Sequence, residues 1–143
     1  MNRREEREQA FILLFEHGIN RDPIDRIIDN AGMARDLMLS DFAEQAALGA
    51  ESHEEALDRQ IESHTRGWRK ERLSKVALAL LRLALYEMLF CPEIPVGVSI
   101  NEAVELAKKY GAAEDPAFVN GVLGAVAKEQ AQGTGAAGQD HDA

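Results

Sequence analysis

Leu73-Ser-Lys-Val-Ala-Leu-Ala-Leu-Leu-Arg-Leu-Ala-Leu-Tyr-Glu-Met-Leu89 is the stretch that decides the fold. It is rich in Leu and Ala and too long for a typical strand, so a helix is expected over residues 70–90. Apolar side chains surround most of its circumference, which predicts a central helix packed on several sides. Pro92 and Pro95 end it in a rigid loop. Arg82 stands inside the apolar run. A buried guanidinium needs a carboxylate, and Glu102 or Glu105 is the expected partner.

Outward from this helix, the neighbouring segments carry helical patterns of their own. Before it, Arg7, Phe11, Leu14 and Gly18 fall on one line of a helix over 3–17, with Phe15 beside it. Asn2 is its expected cap, Glu5 follows three residues on, and Gly18 is the expected stop. Asp22-Pro23 opens a second helix with the stripe Ile24, Ile27, Ile28 and Ala31. Residues 34–64 read as one broken helix or two, with Leu37, Met38, Phe42, Ala46, Leu48, Leu57 and Ile61 as core. The break is expected at Gly49 and the Ser52-His-Glu-Glu55 stretch, with Ser52 as a cap, and Gly67 ends the element.

After the central helix, Ser99-Ile-Asn-Glu102 is a capping box opening a helix that Gly111 closes. Asp115-Pro116 starts the last one, where Phe118, Val119, Val122, Leu123 and Val126 follow at helical spacing. Gly121 is expected to admit a neighbouring backbone. From Gln130 the chain is rich in Gly, Ala and Gln. A domain over 1–129 and a disordered tail over 130–143 are expected. No segment alternates like a strand. The expected fold is all-α: six or seven helices forming a single compact domain.

Composition bounds the function. The 143 residues carry 16 Lys+Arg against 25 Asp+Glu, a formal net charge of −9, which excludes coating nucleic acid by bulk charge. The charge is uneven: residues 22–64 hold eleven Asp/Glu against three Arg, whereas 66–75 hold five basic residues and one acidic. The single cysteine, Cys91, excludes an intrachain disulfide and reads as a neutral thiol rather than a nucleophile. The four histidines are not at metal-ligand spacing, and no phosphate-binding glycine loop or GxSxG occurs. No metal, no cofactor and no enzymatic activity are expected. Neither a membrane span nor a secretory leader is legible, so the expected location is the cytoplasm.

Three groups of residues have both a structural and a functional reading. Arg3, Arg4 and Arg7 oppose the dipole of the helix they open. They are either a self-neutralising helix start beside Glu5, Glu6 and Glu8, or groups that meet an anion such as RNA phosphate. Trp68 anchors a helix entry, with Arg69, Lys70, Arg72 and Lys75 in solvent or on a ligand. Tyr110 and Phe118 flank the loop after Lys108 and Lys109. They are core rings or platforms for unpaired bases.

Three blocks of the chain resemble the NusB family of transcription antitermination factors. They are Arg3-Arg-Glu-Glu-Arg-Glu-Gln-Ala-Phe11 into Leu13–Glu16; Trp68 through Glu71–Val76 to Leu81–Glu87; and Ile94-Pro-Val96, Ser99–Lys108, Tyr110-Gly111 and Phe118–Leu123. The resemblance implies a non-enzymatic protein of two small helical bundles that binds the boxA RNA of ribosomal leader transcripts. The implied partners are the NusE ribosomal small-subunit protein and the RNA polymerase elongation complex. It assigns RNA contacts to Arg3, Arg4, Arg7, Lys109, Tyr110 and Phe118, and the protein-partner face to Phe15 and Ala77. Glu5 and Glu6 dilute the arginine motif, and Gly124 stands where the family often has Asp. A helical protein–protein adaptor without RNA contact is the alternative. An RNA-modifying enzyme is a weaker one, because no second domain fits.

Overall fold

A computed structural model of the chain describes residues 1–34, 38–65 and 72–142, with side chains over 1–31, 38–65 and 72–132. Seven α-helices and no strand occur among the described residues: α1 Arg3–Asn20, α2 Ile24–Ala34, α3 Asp41–Ser52, α4 Glu54–Ser63, α5 Lys75–Phe90, α6 Val96–Tyr110 and α7 Asp115–Asp142. None of those described is long and apolar enough to cross a membrane.

The central helix is α5, as its all-round apolar pattern predicted. Ser74 caps it, accepting from Ala77 N through Oγ. It packs against α1, α3 and α4 on one side and α6 and α7 on the other, so it belongs to both groups of helices. Leu80, Leu81 and Leu85 are fully buried, each worth roughly 1.5–3 kcal/mol of hydrophobic transfer. Opposite it, α3 contributes a face of alanines, Ala43, Ala46, Ala47 and Ala50, all buried. Gly49 completes that face: a Cβ there would overlap the Tyr86 ring of α5. Small residues thus let α3 lie close to its neighbours. Gly121, by contrast, has no neighbour within contact distance of a Cβ, so the close approach expected there does not occur.

Several local expectations are corrected. Helix α1 runs through Gly18 and ends at Arg21, which takes the left-handed conformation (φ 61°) with its N–H on His17 O. Residues 41–63 form two helices that meet at His53, within the stretch where the break is expected, but Ser52 is the last residue of α3, its Oγ donating to Gly49 O rather than capping α4. Met38 lies before α3 and is 86% exposed; Leu48 falls off the alanine face and is exposed too. The apparent capping box at 99–102 is not a helix start, because α6 begins a turn earlier after Pro95. That places Ser99 and Glu102 inside the helix, free to serve other partners. Asn2 does cap α1, accepting from Glu5 N at 2.8 Å. Leu37, Gly67, Trp68, Arg69 and Lys70 lie outside the described residues. Helix α7 continues to Asp142, past the expected domain boundary at 129; its last buried side chain among the described residues is Val126.

Arg82 is buried, as its position in the apolar run required, but its partner is not Glu102 or Glu105. Its Nε and Nη2 donate to Asp58 Oδ1 and Oδ2, both at 2.9 Å, and Glu54 Oε1 lies 3.6 Å from Nη1. Asp58 and Glu54 belong to the acidic segment that reads from sequence as a solvated face. One edge of it faces inward instead.

Glu54 joins this pair to α1. It accepts from Arg21 Nη2 and bonds His17 Nε2, both at 2.9 Å; His17 Nδ1 lies 2.7 Å from Asp22 O, and Glu51 Oε2 is 3.9 Å away. The hydrogen bond to Glu54 raises the His17 pKa above its ordinary 6.5 against the opposing effect of burial and of Arg21. The same bond, aided by Arg21 and Arg82, holds Glu54 down to about 2. Protonated His17 therefore stabilises the fold. Its contribution is complete below pH about 6.5 and is lost as pH rises through the raised folded value. Glu54 contributes above pH about 4.5, and that contribution fades as pH falls toward 2. Thermal unfolding should show a fall in Tm on the alkaline side of 6.5 that His17→Gln abolishes. An identical fall in the variant would assign the effect to other groups.

Candidate nucleic-acid interface

Side chains of the first turns of α1 meet those of the middle and last turns of α6. On α1, residues 4, 8 and 11 share one face; on α6, residues 102, 106 and 109–110 share another. Arg4 Nε and Nη2 donate to Glu102 Oε1 and Oε2 at 2.9 and 2.8 Å, a two-point fork. One turn on, Glu8 Oε2 accepts from both Lys109 Nζ at 2.6 Å and Tyr110 OH at 2.7 Å. The Tyr110 ring packs on Phe11 with centroids 5.1 Å apart, while 40% of the residue stays exposed. Arg4 and Lys109 border an open recess of about 340 Å³ whose floor is Leu106 and whose other walls are carboxylates.

The electrostatics are those of paired groups. Hydrogen bonding to Glu102 raises the Arg4 pKa, and Arg4 in turn lowers that of Glu102 against the effect of its burial. Glu8 raises Lys109, and the bond from Lys109 is the main reason Glu8 is lowered. Burial, then the bond to Glu8, raises Tyr110. At neutral pH the recess holds two cations, each with a partner already in place.

The remaining expected contacts separate into three places. Arg3 projects to the other side of the α1 start, its guanidinium carbon 4.0 Å from the Phe42 ring centroid and Nη1 3.7 Å from Glu6. Arg7 points inward. It is 6% exposed, and its Nε donates to both oxygens of Glu87 at 3.1 and 3.0 Å. Ser99 Oγ donates to the same carboxylate at 2.8 Å. The assignment of Arg7 to a ligand surface is therefore corrected: it shares the line of Phe11 and Leu14, which is the buried line of α1. Phe118 is partly buried and borders a second groove, about 390 Å³, with Leu73, Ala77 and Arg72. Tyr110 and Phe118 thus stand at opposite ends of the 111–114 turn and open onto different recesses. Asp115 braces that turn, accepting from Ala112 N and Ser74 Oγ at 3.0 Å each.

For the expected partner face, Phe15 is partly buried against the core, 5.8 Å from Phe11 by ring centroids, and Ala77 is 1% exposed at the base of the second groove. The pairing of Glu102 with Arg4, of Glu8 with Lys109 and of Glu87 with Arg7 is not among the expectations from the sequence, where Glu102 is a partner for Arg82 and Glu8 only offsets the arginines. Each of these three glutamates is an acid at helical spacing from apolar core positions. That was a legible signal for Glu87, which sits beside Tyr86 in the most apolar helix. For Glu8 and Glu102 no signal preceded the packing of α1 on α6.

A family model described as the NusB family matches residues 4–128. The chain belongs to the NusB family. Among relatives called transcription antitermination protein NusB, that of Thermoanaerobacter sp. (strain X514) is 40% identical over 131 residues, covering 91% of this chain and 93% of the relative. That of Clostridium novyi (strain NT) is 42% identical over 132 residues, covering 90% and 99%. The fold is similar to that of T. maritima NusB (TM-score 0.78, 34% identity, 90% of this chain and 92% of that one). It is also similar to a chain in the crystal structure of antitermination factors NusB and NusE in complex with dsRNA (TM-score 0.78, 28% identity, 89% and 96%). The frame that brings α1 and α6 together here is thus similar, over about nine-tenths of the chain, to those two solved structures.

Proposed function

We propose that this chain is a cytoplasmic transcription antitermination factor that binds the boxA RNA of ribosomal leader transcripts with a NusE-type ribosomal protein, acting on the RNA polymerase elongation complex without enzymatic chemistry. The observation that carries this reading is that Arg4, Lys109 and Tyr110 border one face in a fold shared with a NusB structure solved with NusE and RNA. Arg4 and Lys109 take backbone phosphates, which position the RNA and make binding salt-dependent. The exposed edge of Tyr110 offers a stacking surface for an unpaired base. Arg3, on the other side of the α1 start, meets a phosphate where the RNA passes over that end of the helix. Phe118, with Ala77 and Phe15, belongs to the face that meets the partner and the RNA emerging beside it. Arg7 acts from beneath, by fixing the start of α1 to α5. Because the body is acidic, two or three phosphate contacts cannot hold RNA tightly alone, and the partner's own contacts raise the effective concentration of the second.

The test is Arg4→Ala with Lys109→Ala, assayed against single-stranded boxA RNA by fluorescence anisotropy with and without the NusE-type protein. Both side chains are largely in solvent, so the fold should survive. Binding should weaken by about tenfold at low salt. The slope of log affinity on log salt should become shallower by up to roughly 1.4, at about 0.7 per single-strand phosphate contact. Unchanged affinity would overturn this placement of the RNA. No binding by the unaltered chain, with the NusE-type complex intact, would favour the adaptor reading.

A further inference from the structure

The recess at the α1–α6 junction is built of ion pairs, and their geometry has the shape of a phosphate contact. A carboxylate and a phosphate both present two oxygens to the guanidinium fork. Arg4 offers that fork, and Glu102 fills it with both oxygens. Lys109 and Tyr110 converge on a single oxygen of Glu8 from two donors, an arrangement that would equally serve a phosphate oxygen. The four partners differ in exposure. Glu102 is nearly buried on α6, with a side chain 10% exposed, and Glu8 has 24% of its side chain exposed; Arg4 and Lys109 are more than half exposed. The acids lie against the protein surface, and the cations reach them from the solvent side.

We propose that Glu102 and Glu8 are built-in phosphate stand-ins that occupy Arg4 and Lys109 in the free protein and must be given up before either cation can hold RNA. This inference rests on the RNA-binding reading above. It assigns the two acids the role of setting the affinity threshold. An RNA that offers only a stray phosphate exchanges one anion for another and gains little. One that engages both cations together with Tyr110, while the protein partner contributes its own contacts, displaces both acids at once. The exchange also has a signature in salt. A free cation that meets a phosphate releases the counterion condensed there. A cation that leaves a carboxylate to do so exposes an acid that recruits a counterion of its own, so net release is smaller.

The experiment compares the full chain with Glu102→Gln, Glu8→Gln and Glu5→Gln. Fluorescence anisotropy is read with labelled single-stranded boxA RNA and with a scrambled RNA of equal length, across a salt series. Glu5 lines the same recess and loses the same charge, but it holds neither Arg4 nor Lys109. Glu102→Gln and Glu8→Gln should each tighten both RNAs about threefold or more at low salt and steepen the salt slope by up to roughly 0.7. Glu5→Gln should tighten binding less and leave the slope unchanged. Equal effects in all three variants would show bulk charge alone and overturn the proposal, as would unchanged or weaker binding in the first two. Circular dichroism and Tm establish that each variant is folded, and Glu102→Asp, which keeps the charge but shortens the reach to Arg4, should also steepen the slope. If the unaltered chain binds neither RNA, even with the NusE-type protein present, the underlying RNA reading fails instead, and that result is distinct from the others.

Discussion

Arg7→Met should destabilise the protein by about 3–5 kcal/mol, the cost of leaving one member of a buried ion pair without the other. The guanidinium of Arg7 and the carboxylate of Glu87 have side chains only 7% and 2% exposed, so water cannot replace the lost partner. Ser99 Oγ still donates to Glu87 in the variant, but one hydroxyl is a poor substitute for a cation. For a chain of this size the loss corresponds to a Tm lower by roughly 10 °C or more. Pairing the change with Glu87→Met should recover most of the loss, because the burial cost of the remaining charge goes with it. Urea unfolding of the single and double variants reads both. A single variant as stable as the parent would mean that Glu87 is not the charge that Arg7 neutralises.

The same result separates two meanings of an arginine at the start of α1. A variant at position 7 that loses RNA binding has lost the anchorage of α1 on α5, and with it the placement of Arg4. Its salt slope, measured while it is still folded, should match that of the parent, since the Arg7 guanidinium is buried on Glu87. A variant at position 4 should change the slope while leaving the Tm nearly unaltered. Three arginines that are equivalent in composition are thus divided by helical phase: position 3 over the Phe42 ring, position 4 toward α6, position 7 into the core.

Helical phase also explains how much of the molecule was legible in advance. The central position of α5 followed from its all-round apolar pattern, and the inward face of α2 from Ile24, Ile27 and Ala31. Burial of Arg7 was equally readable, since it lies on the line of Phe11 and Leu14; the family resemblance drew attention to its charge and away from its phase. What periodicity could not supply was pairing between distant segments. Ser99 and Glu102 have the spacing of a capping box, and only the earlier start of α6 after Pro95 turns them toward Glu87 and Arg4. The recess is a meeting of residues 98 and 101 positions apart in the chain. From the sequence Glu8 belongs to a self-neutralising helix start and Glu102 to Arg82, until the side chains of α1 and α6 meet.

Arg82 carries the second large prediction, and it reaches further because its pair is part of a chain of charges. Arg82→Met should cost about 3–5 kcal/mol, since Asp58, with 6% of its side chain exposed, keeps a charge that water cannot reach. The loss should exceed that of Glu54→Gln, because Glu54 lies farther from Arg82 at 3.6 Å and has 20% of its side chain exposed. Arg82→Met with Asp58→Leu should regain most of the stability, leaving Glu54 to His17 and Arg21. The coupling also shows in pH. Arg82 helps to hold Glu54 low, so without it the Glu54 pKa rises toward its ordinary 4.5, and the acid-side loss of stability begins at a higher pH than in the parent. Denaturant melts at neutral and mildly acidic pH test both statements. If the double variant is no more stable than Arg82→Met, the pair is not an isolated buried charge couple, and the α4–α5 contact depends on the guanidinium itself rather than on neutralising Asp58.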